Sequence, residues 1–407
     1  MNIIVQKFGG TSLATSESRT RVCEIIKNTL NNNNHVVVVV SAMGRENDPY
    51  ATDTLINLAK NVNSQVSARE LDYLMSCGEI ISGVLLTAQL NLHGINAQFF
   101  TGGKAGIVTD DQHGDAHIIY VNNQNIVEAL KEGIVPVVAG FQGMSEKGEV
   151  TTLGRGGSDT TASALGVALN AKIIDIFTDV EGIMTADPRI VDNARLLNVI
   201  TYNEVCQLAR EGAKVVHPRA VEIAMHGGIP LRIRSTFSDS DGTLITNYVS
   251  DSNNIRIISD TLITGVTYAS NIAQFRINLS SKEKNQKLEL KVFKSLALKG
   301  ISVDFINVQP EVIMFTVPAD AAARTIEVLE SIDLYPDVEF NCAKVAVVGA
   351  AMTGIPGVMA RVVEALTEEG IPILQSGDSY TNIWCLVKKE HMAKAVKALH
   401  DIFELGK

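Results

Sequence analysis

A lysine followed by two glycines and two hydroxyl residues, Lys7-Phe8-Gly9-Gly10-Thr11-Ser12, lies close to the start of the sequence. Glycines let backbone N–H groups approach an anion, and Thr or Ser can begin a helix whose N-terminus has partial positive charge. Lys7 adds a full charge beside this turn. The pattern favours phosphate binding, although a tight turn with a solvated lysine explains it about as well. It is not a P-loop, because G-x-x-x-x-G-K-[ST] does not occur.

A second segment, Thr151–Thr161, places Arg155 among three glycines and follows it with Ser158 and Asp159. The planar fork of an arginine suits a carboxylate or a phosphate. A flexible loop with a solvated arginine is the alternative. The small residues that follow, from 162 to 171, favour a closely packed helix instead, with Ser158 or Asp159 available to cap it.

Acidic residues follow a strand-like run in the third segment, Phe177–Arg189. Carboxylates beside a phosphate loop often act through Mg²⁺, but Asp and Pro are also ordinary turn residues, and taken alone the turn is favoured. Two lesser segments are Ser76–Glu79, whose glutamate could bind an amino group, and Gly212–Pro218, which contains Lys214. For each, a solvated side chain is an equally good explanation.

Strands and helices must position these residues. Over about the first 250 residues, short apolar runs alternate with longer amphipathic ones, which predicts a mostly parallel sheet with helices on both faces. Ligands bind at the carboxyl ends of strands in such sheets, so the turns after the strands should meet at one site. The candidate strands are Ile3–Phe8, Val36–Ser41, Ala97–Thr101, Val135–Gly140, Ile173–Thr178 and Pro230–Arg234.

A stretch rich in Asn, Ser and Asp, from 247 to 260, predicts a linker. Beyond it the sequence repeats: Val292–Val317 aligns without a gap on Val362–Val387. Each copy predicts a helix, a glycine stop at Gly300 or Gly370, and two strands. With flanking elements, each copy fits a βαββαβ unit of ferredoxin-like type.

Net charge, apolar runs and cysteine spacing limit the classes of partner and site that the chain could have. The net charge of −10 argues against nucleic acids and anionic membranes. The first residues lack a signal-peptide pattern, and no apolar run approaches about 18 residues. The five cysteines are scattered, with no C-x-x-C and no Cys/His cluster, so we expect free thiols in a reducing cytoplasm and no metal site built from protein ligands.

Six segments together resemble the aspartate kinases, which belong to the amino-acid kinase superfamily: Lys7–Ser12, Ser41–Gly44, Ser76–Glu79, Thr151–Thr161, Phe177–Arg189 and Gly212–Pro218. The resemblance covers the whole chain, and Ser41–Asp53 resembles the monofunctional, diaminopimelate-sensitive Gram-positive group. It implies an open, mostly parallel sheet between helices, then two ACT modules. The expected boundaries are 1–247 for the catalytic domain, 248–260 for the linker, and 261–340 and 341–407 for the modules, with strand exchange between the modules left open.

The resemblance also implies roles for single residues. Lys7, Arg155 and Asp159 would be catalytic. Aspartate would be bound by Thr52, Glu79, Arg155 and Ser158. ATP would be bound by Lys7, Gly9, Gly10, Ser41, Thr178, Asp179, Met184, Arg189 and Lys214. Many relatives have an aromatic residue by the adenine where this sequence has Met184, which can still pack on a purine.

The C-terminal copies would sense an amino acid. Ser302-Val303-Asp304 matches the stretch that lines the effector in relatives, and Asp304 could accept an ammonium group; a strand-end residue facing water is the alternative. The first copy has Ser280–Asn285 where many ACT modules have Pro-Gly, whereas the second keeps Pro356-Gly357. Lysine, threonine and diaminopimelate remain open as effectors.

The predicted reaction is therefore ATP + L-aspartate → 4-phospho-L-aspartate + ADP, with Mg²⁺, in a cytoplasmic homodimer or larger homo-oligomer. A carboxylate nucleophile is already ionised at neutral pH, so no general base is required. A kinase for another small acidic amino acid and a non-catalytic amino-acid sensor are the alternatives.

Overall fold

A computed structural model of the chain describes all residues except 46, 214, 252–253, 258–261, 280–287, 351 and 353–354, and only the backbone of 249–251 and 254–257. The chain divides into two compact units. The first comprises Met1–Met184, Leu196–Arg210 and Lys214–Asp260. The second comprises Thr185–Arg195, Glu211–Ala213 and Thr261–Lys407.

The first unit alternates strands and helices. Its strands are β1 (Ile3–Phe8), β2 (His35–Val40), β3 (Ala97–Phe100), β4 (Ile107–Thr109), β5 (Ile118–Val121), β6 (Val135–Ala139), β7 (Gln142–Ser145), β8 (Val150–Thr152), β9 (Ile173–Thr178), β10 (Val199–Ile200), β11 (Leu231–Ser235), β12 (Thr243–Ile245), β13 (Tyr248–Asp251) and β14 (Asn254–Ile257). Its helices are α1 (Gly10–Leu13), α2 (Ser16–Asn31), α3 (Thr52–Val62), α4 (Ala68–Leu92), α5 (Gln124–Lys131), α6 (Gly157–Ala168), α7 (Tyr202–Arg210) and α8 (Pro218–Gly227).

Eight strands form the main sheet in the order β10-β12-β11-β9-β1-β2-β6-β3. Neighbouring strands are parallel except β11 and β12. Val36–Val40 is fully buried, as an unbroken run of valines requires when both faces of a strand are covered. The six predicted strands lie within one residue of observed ones at both ends. The predicted linker, 248–260, includes the antiparallel pair β13 and β14.

A smaller sheet, β5-β4-β7-β8, packs beside α4. By length and composition α4 could cross a membrane, which the sequence interpretation did not anticipate. However, α4 packs on β3, β6 and β8 and buries the carboxyl groups of Asp72 and Glu79. A core helix of a globular protein can be equally long and apolar, so packing inside the first unit explains the apolar composition of α4.

The second unit contains two copies of one arrangement. Its elements are β15 (Gly265–Asn278), α9 (Leu288–Leu298), β16 (Asp304–Gln309), β17 (Val312–Pro318), α10 (Ala322–Glu330), β18 (Asp337–Val348), α11 (Val358–Glu368), β19 (Gln375–Asp378), β20 (Asn382–Lys388) and α12 (Met392–Ile402). The helices α9 and α11, and likewise the strands β17 and β20, are 70 residues apart at both ends. Gly300 and Gly370 have φ of 65° and 66°, as predicted for glycines that end a helix.

The two copies share one sheet, β16-β17-β15-β18-β20-β19. The first half of β15, Gly265–Ala269, pairs with Lys344–Val348 of β18, which also pairs with β20. The second half of β15, Ile272–Asn278, pairs with β17. A strand that precedes the first copy therefore completes the sheet of the second. The expected boundary between residues 340 and 341 lies inside β18.

Candidate functional site

The turns after β1 and β2 contact each other closely. The Gly44 N–H donates to Gly10 O at 3.1 Å. A Cβ on Gly10 would lie 2.5 Å from Gly44 O and 2.7 Å from Ala42 O, so no larger residue fits. The Gly9 N–H already donates to Phe177 O of β9 at 3.1 Å, which makes it unavailable to an anion. Of the two predicted glycines, Gly10 is therefore the better placed, since it begins α1, where helix N–H groups have no internal acceptor.

Lys7 and Asp159 form an ion pair at this edge of the sheet. The Nζ–Oδ1 distance is 2.7 Å, and each side chain is only 12% exposed. Asp159 lies in the first turn of α6, where a carboxylate is favoured by the helix dipole. Ser158 is buried next to it against Gly140, whose Cβ would lie 2.8 Å from Ser158 Cβ. The sequence predicted that the turns after β1, β2, β6 and β9 would meet. Hydrogen bonds from Gly9, Ser41 and Gly140 to neighbouring strands bring these turns together.

Arg155 projects from the loop between β8 and α6. Gly154 and Gly156, on either side of it, have φ of 71° and 69°, a region that favours glycine. A Cβ on Gly156 would lie 2.3 Å from the His217 side chain, which itself caps α8 by accepting from Arg219 N–H at 3.3 Å. Arg155 is exposed and has no hydrogen bond or ion pair within the described part of the chain. Its guanidinium is therefore available to an external anion.

Glu79 is a buried carboxylate on α4, 2% exposed. Its Oε1 accepts from Ala42 N–H at 3.0 Å, while its Oε2 has no hydrogen-bond partner among the described residues. Burial raises the pKa of Glu79 to about 8, and the Ala42 N–H and the charge of Lys7 oppose this rise. A cationic group placed against Oε2 would satisfy this oxygen and favour the ionised form.

The end of β2 is fixed to α4, since Ser82 donates to Ser41 O at 2.6 Å. Thr52, the first residue of α3, is half-buried, and nearby Tyr50 O would lie 3.1 Å from a Cβ on Gly78 of α4. The chain around Thr52 thus approaches the helix that bears Glu79. In the described part of the chain no side-chain hydrogen bond joins Thr52 to Glu79 or Arg155.

The residues predicted to bind ATP are spread more widely. Thr178 ends β9 and donates to the Asp179 carboxylate at 3.2 Å, and Asp179 pairs with Arg45. Met184 is half-buried and forms a β-bridge with Leu196. Arg189 belongs to the second unit, where it pairs with Asp187 at 2.7 Å. Lys214 lies outside the described residues.

Asp72 is a buried residue that sequence reasoning missed. It is fully inaccessible on α4 and accepts from Thr152 Oγ1 at 2.5 Å and from Gly114 N–H at 3.1 and 3.2 Å; His113 Nδ1 lies 2.7 Å away. Thr152 is three residues before Arg155, so Asp72 fixes the start of the arginine loop. Its spacing of seven residues from Glu79, two helical turns, could have indicated a shared inward face.

In the second unit, Ser302, Val303 and Asp304 precede or begin β16. Asp304 has a 72% exposed side chain, and its Oδ2 lies 3.8 Å from Lys344 Nζ. Lys344 is buried and pairs with Glu211 at 2.5 Å. The next residue, Phe305, has a φ of 53° and stacks on Trp384 with ring centroids 3.5 Å apart. An exposed carboxylate thus stands beside a buried, already paired lysine.

Among the described residues, no group of three or more His, Cys, Asp or Glu side chains could hold a metal ion. A paired lysine, a buried carboxylate and glycine turns lie at the carboxyl end of the sheet, and Arg155 projects from the loop that precedes α6. These groups can bind anions and an ammonium group, and they lack an evident general base.

Comparison with known proteins agrees with this chemistry. The model of the amino acid kinase family matches residues 2–235, and an ACT domain model matches residues 337–401. Aspartokinase 1 of Bacillus subtilis (strain 168) is 49% identical over 410 residues, covering 100% of both chains. The chain belongs to the aspartokinases. The predicted family and fold class are thereby confirmed.

Two solved aspartokinase structures resemble this one along its length. The structure of E. coli aspartokinase III in complex with aspartate and ADP (R-state) has a TM-score of 0.79 and 27% identity, covering 99% of this chain and 100% of that one. The same aspartokinase in complex with lysine and aspartate (T-state) has a TM-score of 0.75 and 27% identity, covering 98% and 99%.

Proposed function

We propose that this aspartokinase transfers the γ-phosphoryl group of ATP to the side-chain carboxylate of L-aspartate, giving 4-phospho-L-aspartate and ADP. The observation that supports this most directly is the Lys7–Asp159 pair, 2.7 Å apart at the meeting point of the glycine turns. Phosphoryl transfer depends mainly on positioning and on electrostatic stabilisation of the transferring oxygens. Asp159 orients the Lys7 ammonium, which then stabilises the charge on the transferring group.

L-Aspartate carries an ammonium group and two carboxylates, and the site offers a complement to each kind of charge. Glu79 Oε2, which lacks a hydrogen-bond partner in the described structure, receives the ammonium group. Arg155 pairs with a carboxylate as a planar fork. Ser158 and Thr52 donate further hydrogen bonds. The reacting carboxylate is already ionised, so the absence of an evident base is consistent with the reaction.

ATP is proposed to lie along the turns after β1, β2 and β9. Gly10 and Ser41 line the phosphates, with Gly9 supporting the turn through its bond to Phe177 O. Thr178, Asp179, Arg189 and Lys214 would also hold ATP, and Met184 would pack on the purine. Mg²⁺ arrives bound to ATP oxygens and water, which is its usual mode with nucleotides and requires few protein carboxylates.

The second unit is proposed to inhibit the reaction when an amino acid binds near Ser302, Val303 and Asp304. Diaminopimelate, lysine and threonine are the candidates, with diaminopimelate suggested by the resemblance to the Gram-positive group. We further propose a cytoplasmic homodimer or larger homo-oligomer that begins the synthesis of lysine, threonine, methionine and diaminopimelate.

The test is ADP release from ATP and Mg²⁺ with L-aspartate, in hydroxylamine, which traps the acyl phosphate as aspartyl hydroxamate. Replacing Lys7 with Met should lower turnover at least about a hundredfold, since it removes a charge that stabilises the transition state. The control is Lys104→Met, which changes a lysine outside the site. Normal turnover by folded Lys7→Met protein would refute the assignment. Hydroxamate from glutamate or acetylglutamate instead of aspartate would change the substrate.

A further inference from the structure

A cleft of about 240 Å³ lies on the sheet of the first unit, beside α2. Its lining includes Ile4 of β1, Asp175 and Phe177 of β9, Arg232 and Arg234 of β11, and Asn28 of α2. Arg232 lies opposite Asp175 and Arg234 opposite Phe177 in the parallel pairing, so all four side chains share one face. None of these side chains belongs to the proposed phosphoryl-transfer site.

Two of the three arginines in the cleft are already neutralised. Arg232 holds Asp175, which is 1% exposed, through Nε–Oδ1 and Nη2–Oδ2 bonds of 2.8 and 3.0 Å. Arg21 pairs with Asp239 at one end of the cleft. The two carboxylates that line the cleft are therefore each paired with an arginine, and the third arginine has no direct ion pair.

Arg234 is the arginine of the cleft that has no direct ion pair among the described residues. In the described part of the chain it has no carboxylate partner; its Nε and Nη2 both donate to Ser240 O at 3.4 Å, the long end of hydrogen-bond distances. Its guanidinium lies 5.6 Å from the centre of the Phe177 ring. Burial, and next the charge of Arg232, lower the pKa of Arg234, while the more distant carboxylates of Asp175, Asp241 and Asp239 raise it.

Arg234 is half-buried, so partial desolvation opposes its charge, and a planar guanidinium without a direct partner can bind an oxyanion through two parallel N–H bonds. Across the cleft, Asn28 is exposed and its amide has no hydrogen bond among the described residues. It offers a neutral donor facing the arginines.

We infer that this cleft binds a small oxyanion, a phosphate or carboxylate group, held chiefly by Arg234 with Arg232 beside it. The simpler alternative is that the stem of Arg234 only covers Phe177, as arginine stems often do. The two differ in whether the guanidinium has a ligand.

The experiment titrates inorganic phosphate into the full-length Lys7→Gln protein, followed by calorimetry and by the thermal midpoint. Removing Lys7 weakens phosphate binding at the transfer site. Saturable binding is expected. Succinate is titrated in parallel, and tighter binding of phosphate or of succinate identifies which oxyanion the cleft prefers. Absence of saturable binding by both ligands would overturn the inference.

Variants then locate the binding. In the same background, Arg234→Gln should weaken it at least about tenfold, whereas Arg234→Lys keeps the charge and should weaken it less. Asn28→Asp adds a negative charge at the cleft and should also weaken binding. The matched control is Asn31→Asp, the same change on the same helix at an exposed position outside the lining. Undiminished binding by Asn28→Asp would overturn the inference even if Arg234→Gln failed to fold.

Discussion

Glu79 should be mostly protonated at neutral pH in the free protein, because burial raises its pKa to about 8. At pH 7, one unit below, roughly nine in ten molecules hold the proton. An ammonium group against Oε2 favours the carboxylate, so binding of L-aspartate should release a proton. Calorimetry in two buffers of different ionisation enthalpy measures this release. Heats that do not depend on the buffer would contradict the proposed contact.

The same carboxyl group predicts a pH dependence of stability. The folded state binds the Glu79 proton up to about pH 8, whereas the unfolded chain releases it near 4.5, so Glu79 costs increasing stability as the pH rises between these values. The cost is about 1.4 kcal/mol per pKa unit. Compared with wild type, Glu79→Gln should therefore gain stability from pH 5.5 to pH 8.5, measured by urea unfolding.

The control for this measurement is Glu128→Gln, at an exposed position, whose stability relative to wild type should stay constant across the same pH range. A Glu79→Gln difference that is equally constant would show that the folded state does not retain the proton.

Sequence patterns predicted individual residues unevenly. The rule that parallel strands end at one edge predicted that the turns after the strands would meet, whereas the resemblance to the aspartate kinases gave Lys7 and Asp159 their roles. The roles of Gly9 and Asp72 did not follow. Whether the Gly9 N–H points toward a ligand or toward Phe177 depends on the alignment of β1 with β9, and the partner of Asp72 is 80 residues away in sequence. Neither is fixed by local propensity or spacing.

At the scale of elements, α4 connects two parts of the proposed site. Glu79 accepts from the Ala42 N–H, just beyond the end of β2, and two turns earlier Asp72 accepts hydrogen bonds from Thr152 and Gly114. One helix thus positions both the carboxylate for the ammonium group and the loop that presents Arg155. Its apolar composition suggested only a core helix, because the two acids are a small part of 25 residues.

Asp72→Asn should raise the KM for aspartate severalfold while changing the KM for ATP little. The asparagine amide would place a donor where three donors already converge. The hydrogen bond that holds Thr152 at the start of the Arg155 loop would be lost, which destabilises this loop by about 1–3 kcal/mol. Steady-state kinetics with each substrate varied in turn tests this, with Asp53→Asn, on the exposed side of α3, as the control. Equal changes in both KM values would indicate a general loss of structure.

At the scale of the whole molecule, the repeat was predictable because glycine stops and apolar positions recur at a constant spacing. The sharing of β15 and β18 between the copies was not predictable, since strand pairing depends on contacts distant in sequence.

Gly300 and Gly370 provide a matched test of the two copies. A Cβ at either meets nothing within 4 Å, so only positive φ opposes alanine. Each Gly→Ala change should cost about 1–2 kcal/mol, by urea unfolding. Unequal costs would show that the copies differ in environment.

Feedback is a second property at this scale. If Asp304 accepts the effector's ammonium group, Asp304→Asn should weaken inhibition at least about tenfold and leave uninhibited turnover unchanged. Inhibition curves with lysine, threonine and diaminopimelate measure this, and Asp333→Asn, in the same copy, is the control. Undiminished inhibition would place the effector elsewhere.

The shared strands also constrain the order in which the polypeptide can acquire its structure during synthesis. Val266 of β15 belongs to the same core as Val387 of β20 and Leu399 of α12, and Val191, far upstream, joins that core as well. A ribosome must release the chain through α12 before this core can close. Nascent chains that lack α12 would expose an apolar surface, and chaperones would have to protect the early strands until α12 emerges.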